Sequence, residues 1–261
     1  MIKLSIIIVC FNNPSEVKKT LKSITGKYLE VIVIDGSESP EIKKVCNTST
    51  LKVTLISEKD LGIYDAMNKG ISYSTGLHTI FMNSGDYFTE QALTLYLSLN
   101  IDEMVTYYGD ADFYLNNKKS FAFIANMQKK SNFLKHNCFS HQAIFYSTSA
   151  LKSIKKYNLN YKISADFDLT WRLFNSPQSR FEKLGFTVAN CDLGGISCQK
   201  GLQSYLDRIC IFYSSNNYTY TVILLGYFPI FYLKNKIVNL LDGSPILASY
   251  RRIKSRLLSN V

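Results

Sequence analysis

Residues 4–36 read LSIIIVCFNNPSEVKKTLKSITGKYLEVIVIDG, and this stretch decides the fold. Leu4 to Val9 is a continuous run rich in β-branched residues, the pattern of a strand buried on both faces. Asn13-Pro14-Ser15-Glu16 then supplies a capping residue, a proline at the first helical position and a glutamate three residues after the cap. Val17, Leu21 and Ile24 follow at helical spacing, and Leu29 to Ile34 is a second apolar strand.

The alternation continues downstream. Pro40 to Cys46 is helical, Val53 to Ser57 a strand, Ile63, Met67 and Ile71 mark a helix, and Thr79 to Met82 is a fourth strand. Strands and helices alternating at this spacing predict an α/β fold: a mostly parallel central sheet flanked by helices. Ligands of such sheets bind beyond the carboxyl ends of the strands. After residue 100 the pattern changes. Val105 to Tyr108, Phe113 to Leu115 and Phe121 to Ile124 read as short strands separated by turns at Gly109-Asp110 and Asn116-Asn117. Ala143 to Tyr146 reads as another strand, Asp166 to Phe174 as a helix and Phe181 to Leu193 as strand-rich. No repeat or Pro/Ser linker interrupts this, so residues 1–200 are expected to form one domain and 201–261 a helical appendix.

Within the appendix, Tyr205 to Tyr213 reads as helical, and Thr221 to Leu233 (TVILLGYFPIFYL) is almost wholly apolar but broken at Pro229. A spanning helix needs ~20 residues, so this run is too short to cross a bilayer. Its aromatics beside Lys234 and Lys236, and the basic tail beyond, point to an element lying in a membrane interface. From residue 234 on, six basic residues stand against the single Asp242, which is half of the chain's formal +10. A balance this basic favours anionic partners. Nucleic acid is disfavoured, because the basic residues do not interleave with aromatics on a sheet face.

At 46% hydrophobic and 19% charged residues over 261 positions, disordered and low-complexity classes are excluded. The six cysteines include no C-x-x-C pair, which predicts free thiols in a reducing compartment. The chain enters its first strand with no signal-peptide pattern, so a cytoplasmic location is expected.

Acidic residues gather at three of the four early strand ends: Asp35 after the second strand, Glu58 and Asp60 after the third, Asp86 after the fourth. A single Asp after a strand is usually a turn or helix cap. Three along one edge call for a cation or hydrogen-bond donors to offset their repulsion. No G-x-G-x-x-G follows the first strand and no G-K-[ST] occurs, so two familiar nucleotide sites are excluded. The loop Cys10-Phe11-Asn12-Asn13 is also unlike the Gly-rich loop that a sugar nucleotidyltransferase needs.

Taken in order, SIIIVCFNNPSEVKKTLKSI, VIVIDGS, SEKDLGIYDAMNKGISYSTG, FMNSGDYF, SHQAIFY, ISADFDLTWRL and GGIS resemble the family 2 glycosyltransferases of GT-A fold, in particular bacterial enzymes that build O-antigen, capsule or exopolysaccharide. The resemblance covers about residues 1–200. It implies inverting transfer of a sugar from a nucleotide-diphosphate donor, a UDP-sugar being favoured, with a divalent Mn2+ or Mg2+. It further implies a lipid-linked glycan acceptor and a location at the inner face of the plasma membrane. Carried over residue by residue, it places Phe11 and Asn12 near the base and Asp35 as its hydrogen-bond acceptor. Asp60, Asp65 and Asn68 would line the donor pocket, His141 and Gln142 the acceptor side, and Gly194 and Gly195 a loop over the diphosphate.

The metal motif departs from the family. Its usual Asp-x-Asp reads Asn83-Ser84-Gly85 here, so the metal-binding carboxylate aligns with Gly85 and Asp86 is the only one left. That departure is the one support for a rival reading, a catalytically silent sugar-binding protein. Inverting transfer needs a carboxylate to take the acceptor's proton. Asp166 and Asp168 lie about 200° apart on their helix, so one alone can face the site. Asp168 stands four before Arg172, an ion-pair spacing, whereas Asp166 opens the helix and aligns with the family's base. Asp166 is therefore the expected catalytic base.

Overall fold

The computed structural model describes residues 1–134, 138–193 and 201–240. The chain divides into two compact units, Met1–Gly194 and Gly195–Val261.

The first unit opens with β1 (Leu4–Cys10), α1 (Pro14–Lys22), β2 (Leu29–Asp35), α2 (Pro40–Asn47), β3 (Val53–Ser57), α3 (Ile63–Tyr73) and β4 (His78–Asn83). β1 pairs in parallel with both β2 and β4, and β2 with β3. Every residue of β1 is buried, which is why its sequence shows no alternation. Strand order 3-2-1-4 reverses between β1 and β4, so a ligand crevice is expected at the carboxyl ends of those two strands.

The sheet then turns antiparallel through β8 (Ile144–Ser147), and continues with β6 (Val105–Leu115), β9 (Arg180–Asp192) and β5 (Tyr87–Phe88). β7 (Lys118–Phe123) hangs on β6. Helices α4 (Ala92–Ser98), α5 (Thr148–Ser153) and α6 (Ala165–Phe174) complete the unit. Asn116 and Asn117 form the β6–β7 turn, both at positive φ (50° and 61°), as the two-residue hairpin connection requires.

Three expectations are corrected. Gly109-Asp110 is no turn: β6 is one 11-residue strand, and its pairing with β9 shifts register there. A Cβ on Gly109 would stand 2.6 Å from Val188 Cγ2, so the glycine serves close approach of β9. The Asn13 side chain makes no capping bond to α1. Finally, Pro229 does not end its helix.

The second unit holds α7 (Gly201–Ser214) and α8 (Tyr218–Leu240), and α8 runs straight through the proline. Pro229 lacks the N–H that would reach back to the Leu225 carbonyl. The Tyr205 ring stacks on Phe231 and also packs on Phe228, and its hydroxyl donates 2.7 Å to the Leu224 carbonyl, so α7 holds α8 on both sides of the proline. No described helix is long and apolar enough to cross a membrane.

Candidate active site

The rim above β1, β2 and β4 is a continuous set of contacts. Asp35, at the end of β2, is fully buried. Its carboxylate accepts from Ser37 N (3.0 Å), Ser37 Oγ (2.5 Å), Ser39 N (2.8 Å) and Ser57 Oγ (3.0 Å). A carboxylate has roughly four lone-pair sites, and all are taken. In this arrangement Asp35 has no lone pair to offer a base. It shapes the loop instead, since Ser37 Oγ accepts from Asn12 N at 2.9 Å. Phe11 beside it is 68% exposed.

Asp60 packs on the same loop: its Oδ2 lies 1.9 Å from where a Cβ on Gly36 would stand, and its Oδ1 accepts from Gly62 N at 2.8 Å. Asp65 accepts from Leu61 N at 3.1 Å and faces Lys69 Nζ at 3.7 Å, while Lys69 pairs with Glu58 at 3.0 Å. Asn68 does not join them. Its Nδ2 donates 3.0 Å to the Tyr157 carbonyl and its Oδ1 accepts 2.8 Å from Tyr157 N, so it grips the chain leading to α6.

On the other side of the crevice, Asn13 Nδ2 donates 2.6 Å to Ser84 Oγ. Asp86, two residues on, is 4% exposed. Its Oδ2 accepts from Gln142 Nε2 and its Oδ1 from Asp192 N, both at 2.9 Å. Burial pushes its carboxyl above the ordinary range, and those two donors pull it partly back. His141 adjoins Gln142, and its Nδ1 lies 3.4 Å from Asp166 Oδ2. Asp86 and Asp166 are thus joined through His141-Gln142.

Asp166 stands in the first turn of α6. Its Oδ1 accepts from Phe167 N at 2.8 Å and lies 3.3 Å from the Tyr64 hydroxyl, which donates 2.7 Å to the Ile163 carbonyl. Its carboxylate remains one-quarter exposed. Asp168 points elsewhere: both Nε and Nη2 of Arg172 reach its Oδ2 at 2.8 Å. Trp171 is core, edge-on to Phe133. Tyr64 was not legible as a site residue, because a tyrosine at helical spacing reads as packing. The signal lay in its position four before Asn68, one face of α3 holding the segment before Asp166 at two points. Gly194 and Gly195 lie outside the described residues.

Asp86 is braced internally, one donor on each oxygen, which leaves about two of its four lone-pair sites. Among the described residues no three His, Cys, Asp or Glu side chains gather as a metal site. The turn beside it fits better: Asn13 Oδ1 and Asn83 Oδ1 are buried without partners, and Glu16 Oε2 stands over Gly85.

The nine-stranded mixed sheet with acidic residues along one rim has the GT-A fold of solved glycosyltransferases. The glycosyl transferase family 2 model matches residues 5–154, more than half of the chain. The chain belongs to that family. The PGL/p-HBAD biosynthesis glycosyltransferases of Mycobacterium bovis (strain BCG / Pasteur 1173P2) and Mycobacterium tuberculosis (strain ATCC 25177 / H37Ra) are 29% identical over 216 residues, which cover 78% of this chain and 83% of theirs. S. aureus TarS 1-349 in complex with UDP superposes with a TM-score of 0.60 at 16% identity, over 86% of this chain and 71% of that one. Of another, longer TarS chain the match covers 39%. The mannosyltransferase PcManGT from Pyrobaculum calidifontis, in complex with GDP-Man and Mn2+, gives 0.59 at 13% identity, over 98% and 85%.

Proposed function

We propose that this glycosyltransferase moves a sugar, with inversion, from a nucleotide-diphosphate donor to a hydroxyl of a lipid-linked glycan in bacterial surface polysaccharide assembly. The observation that carries this reading is the Asp166 carboxylate, partly exposed at a helix start and with one oxygen unfilled. Oδ1 already accepts from Phe167 N, so Oδ2 takes the acceptor hydroxyl's proton as that oxygen attacks the anomeric carbon. The bond from the anomeric carbon to the nucleoside diphosphate breaks, and the diphosphate leaves with the electron pair. Tyr64 and His141 hold Asp166 in place; Phe11, Asn12, Asp60 and Asp65 form the donor side, over the loop that Asp35 braces. His141 and Gln142 face the acceptor side. A divalent cation, Mn2+ or Mg2+, when bound supplies positive charge against the leaving diphosphate. TarS with UDP or UDP-GlcNAc and the mannosyltransferase with GDP-Man support a nucleotide-sugar donor, and a UDP-sugar remains the favoured one.

The acceptor assignment draws on α8, where Val222, Leu225, Tyr227, Ile230, Leu233 and Ile237 are exposed beside Lys234 and Lys236. Such a face suits the headgroup boundary of the inner membrane leaflet, where a lipid-linked substrate resides. The test is nucleotide release from UDP-, GDP- and TDP-sugars. Wild-type turnover with one donor, lost in Asp166→Asn while a thermal shift still reports donor binding, supports the reading. Undiminished turnover in Asp166→Asn would sink it. Glutamate at Leu225, Ile230 and Leu233 should release the protein from anionic vesicles; unchanged sedimentation removes the membrane role.

A further inference from the structure

Asn13-Pro14-Ser15-Glu16 has the spacing of a capping box, in which Asn13 would accept from the helix and Glu16 would reach back to the Asn13 N–H. Neither side-chain bond forms. Asn13 caps nothing and turns to Ser84 Oγ, leaving its own Oδ1 buried without a donor. Glu16 Oε2 leans over the neighbouring residue, 2.7 Å from where a Cβ on Gly85 would stand. Among the described residues no hydrogen bond or ion pair engages that carboxylate. Asn83, immediately before Ser84, carries a second buried and unpartnered Oδ1. Asn13 and Glu16 thus both reach the Ser84-Gly85 turn at the β1–β4 crevice, Asn83 directly precedes it, and among the described residues no donor meets these three side-chain oxygens.

Each buried acceptor left bare costs about 1–3 kcal/mol, so the arrangement calls for a ligand. One carboxylate and two amide oxygens, with no nitrogen or sulfur among them, are the donors of a hard divalent cation. The positive end of α1 opposes a cation with roughly half a charge, which the full charge of Glu16 exceeds. The location is also where the resembling family carries its metal carboxylate. Gly85 has φ +101°, a conformation that strains any residue with a Cβ, and Glu16 occupies the space such a residue would need. A carboxylate borrowed from α1 takes the place of the one missing from the turn.

We infer that Glu16, with the side-chain oxygens of Asn13 and Asn83, forms the divalent-cation site of this transferase, and that Asp86 is a strut rather than a ligand. The inference rests on the glycosyltransferase reading only for the nucleotide diphosphate that shares the ion. Its test needs no turnover. Free Mn2+ is followed by its EPR signal in the full-length protein with UDP or GDP present. Wild type should deplete the signal. Glu16→Gln should weaken uptake by about tenfold or more and Asn83→Ala by several-fold, whereas Asp86→Asn should change it less than about threefold. Thermal melts of each variant separate lost binding from lost fold. Loss of uptake in Asp86→Asn with Glu16→Gln intact overturns the assignment. So does a wild type that takes up no Mn2+ with either nucleotide. Undiminished turnover in Asp166→Asn would instead fault the proposed base and leave Mn2+ uptake untouched.

Discussion

Asp35 and Asp166 are both acids of one unit, and their surroundings could hardly differ more. Asp35 lies under the rim with every lone pair filled by Ser37, Ser39 and Ser57. Asp166 keeps an oxygen whose nearest partner is His141 Nδ1 at 3.4 Å, and it is partly open to solvent. A saturated buried carboxylate stabilises a loop and has nothing left for a substrate. An unsaturated one at a helix start keeps an oxygen free to accept a proton. Donor count, rather than residue type, separates brace from base.

The widest gap is expected between their amides. Asp166→Asn should cut turnover by about 1,000-fold, the scale of a lost general base, and shift the melting midpoint by no more than about 2 °C. Asp35→Asn should act mainly on stability. An amide can accept at only one of its two ends, so it strands the donors at the other, and about 2–4 kcal/mol in urea unfolding is the expected cost. Equal effects of the two variants on turnover at full folding would erase the contrast.

Tyr64 and Asn68 refine it, because they serve the base from a distance. Asn68→Ala removes two bonds to the Tyr157 backbone and should cost about 1–3 kcal/mol of stability. Tyr64→Phe removes only a hydroxyl. It should lower kcat several-fold with donor KM unchanged, and combined with Asp166→Asn it should add little further loss. Full additivity of the pair in turnover would mean that Tyr64 acts elsewhere.

In the parallel half of the sheet β1, β2 and β4 were legible because they are largely buried on both faces, and burial writes itself as apolar runs such as Leu4–Val9, Val31–Ile34 and Ile80–Met82. β6 was not. Its Gly109-Asp110 bulge has the composition of a turn, and only the neighbouring β9 shows that the strand continues. Pro229 misled for the same reason: a local helix breaker is overridden by tertiary contact with Tyr205. At the site, Asp166 could be singled out by its place at a helix start, and Asp168 by its spacing from Arg172. Glu16 could not, since a capping box satisfies every local rule and nothing in residues 13–16 says that residues 83–85 compete for its side chains. Asp35 read as an acceptor for the base, because serines two, four and 22 positions away fill its lone pairs only once the sheet is built.

The smallest expected effect lies within α6 itself, between Asp166 and Asp168. Asp168 is 5% exposed, and burial pushes its carboxyl above the ordinary 3.8 while Arg172 pulls it back. The folded state therefore holds this proton more tightly than the unfolded chain does. The stability it contributes is fully present below the unfolded value and is lost as pH rises through the folded one. Asp168→Asn abolishes that dependence, and Arg172 retains its bonds to the carbonyls of Ile154 and Lys156. In urea unfolding the difference between wild type and Asp168→Asn should therefore shift against the wild type as pH rises above the unfolded value of 3.8. A pH-independent difference would mean that the ion pair with Arg172 cancels burial, and a shift in favour of the wild type would mean that it outweighs burial.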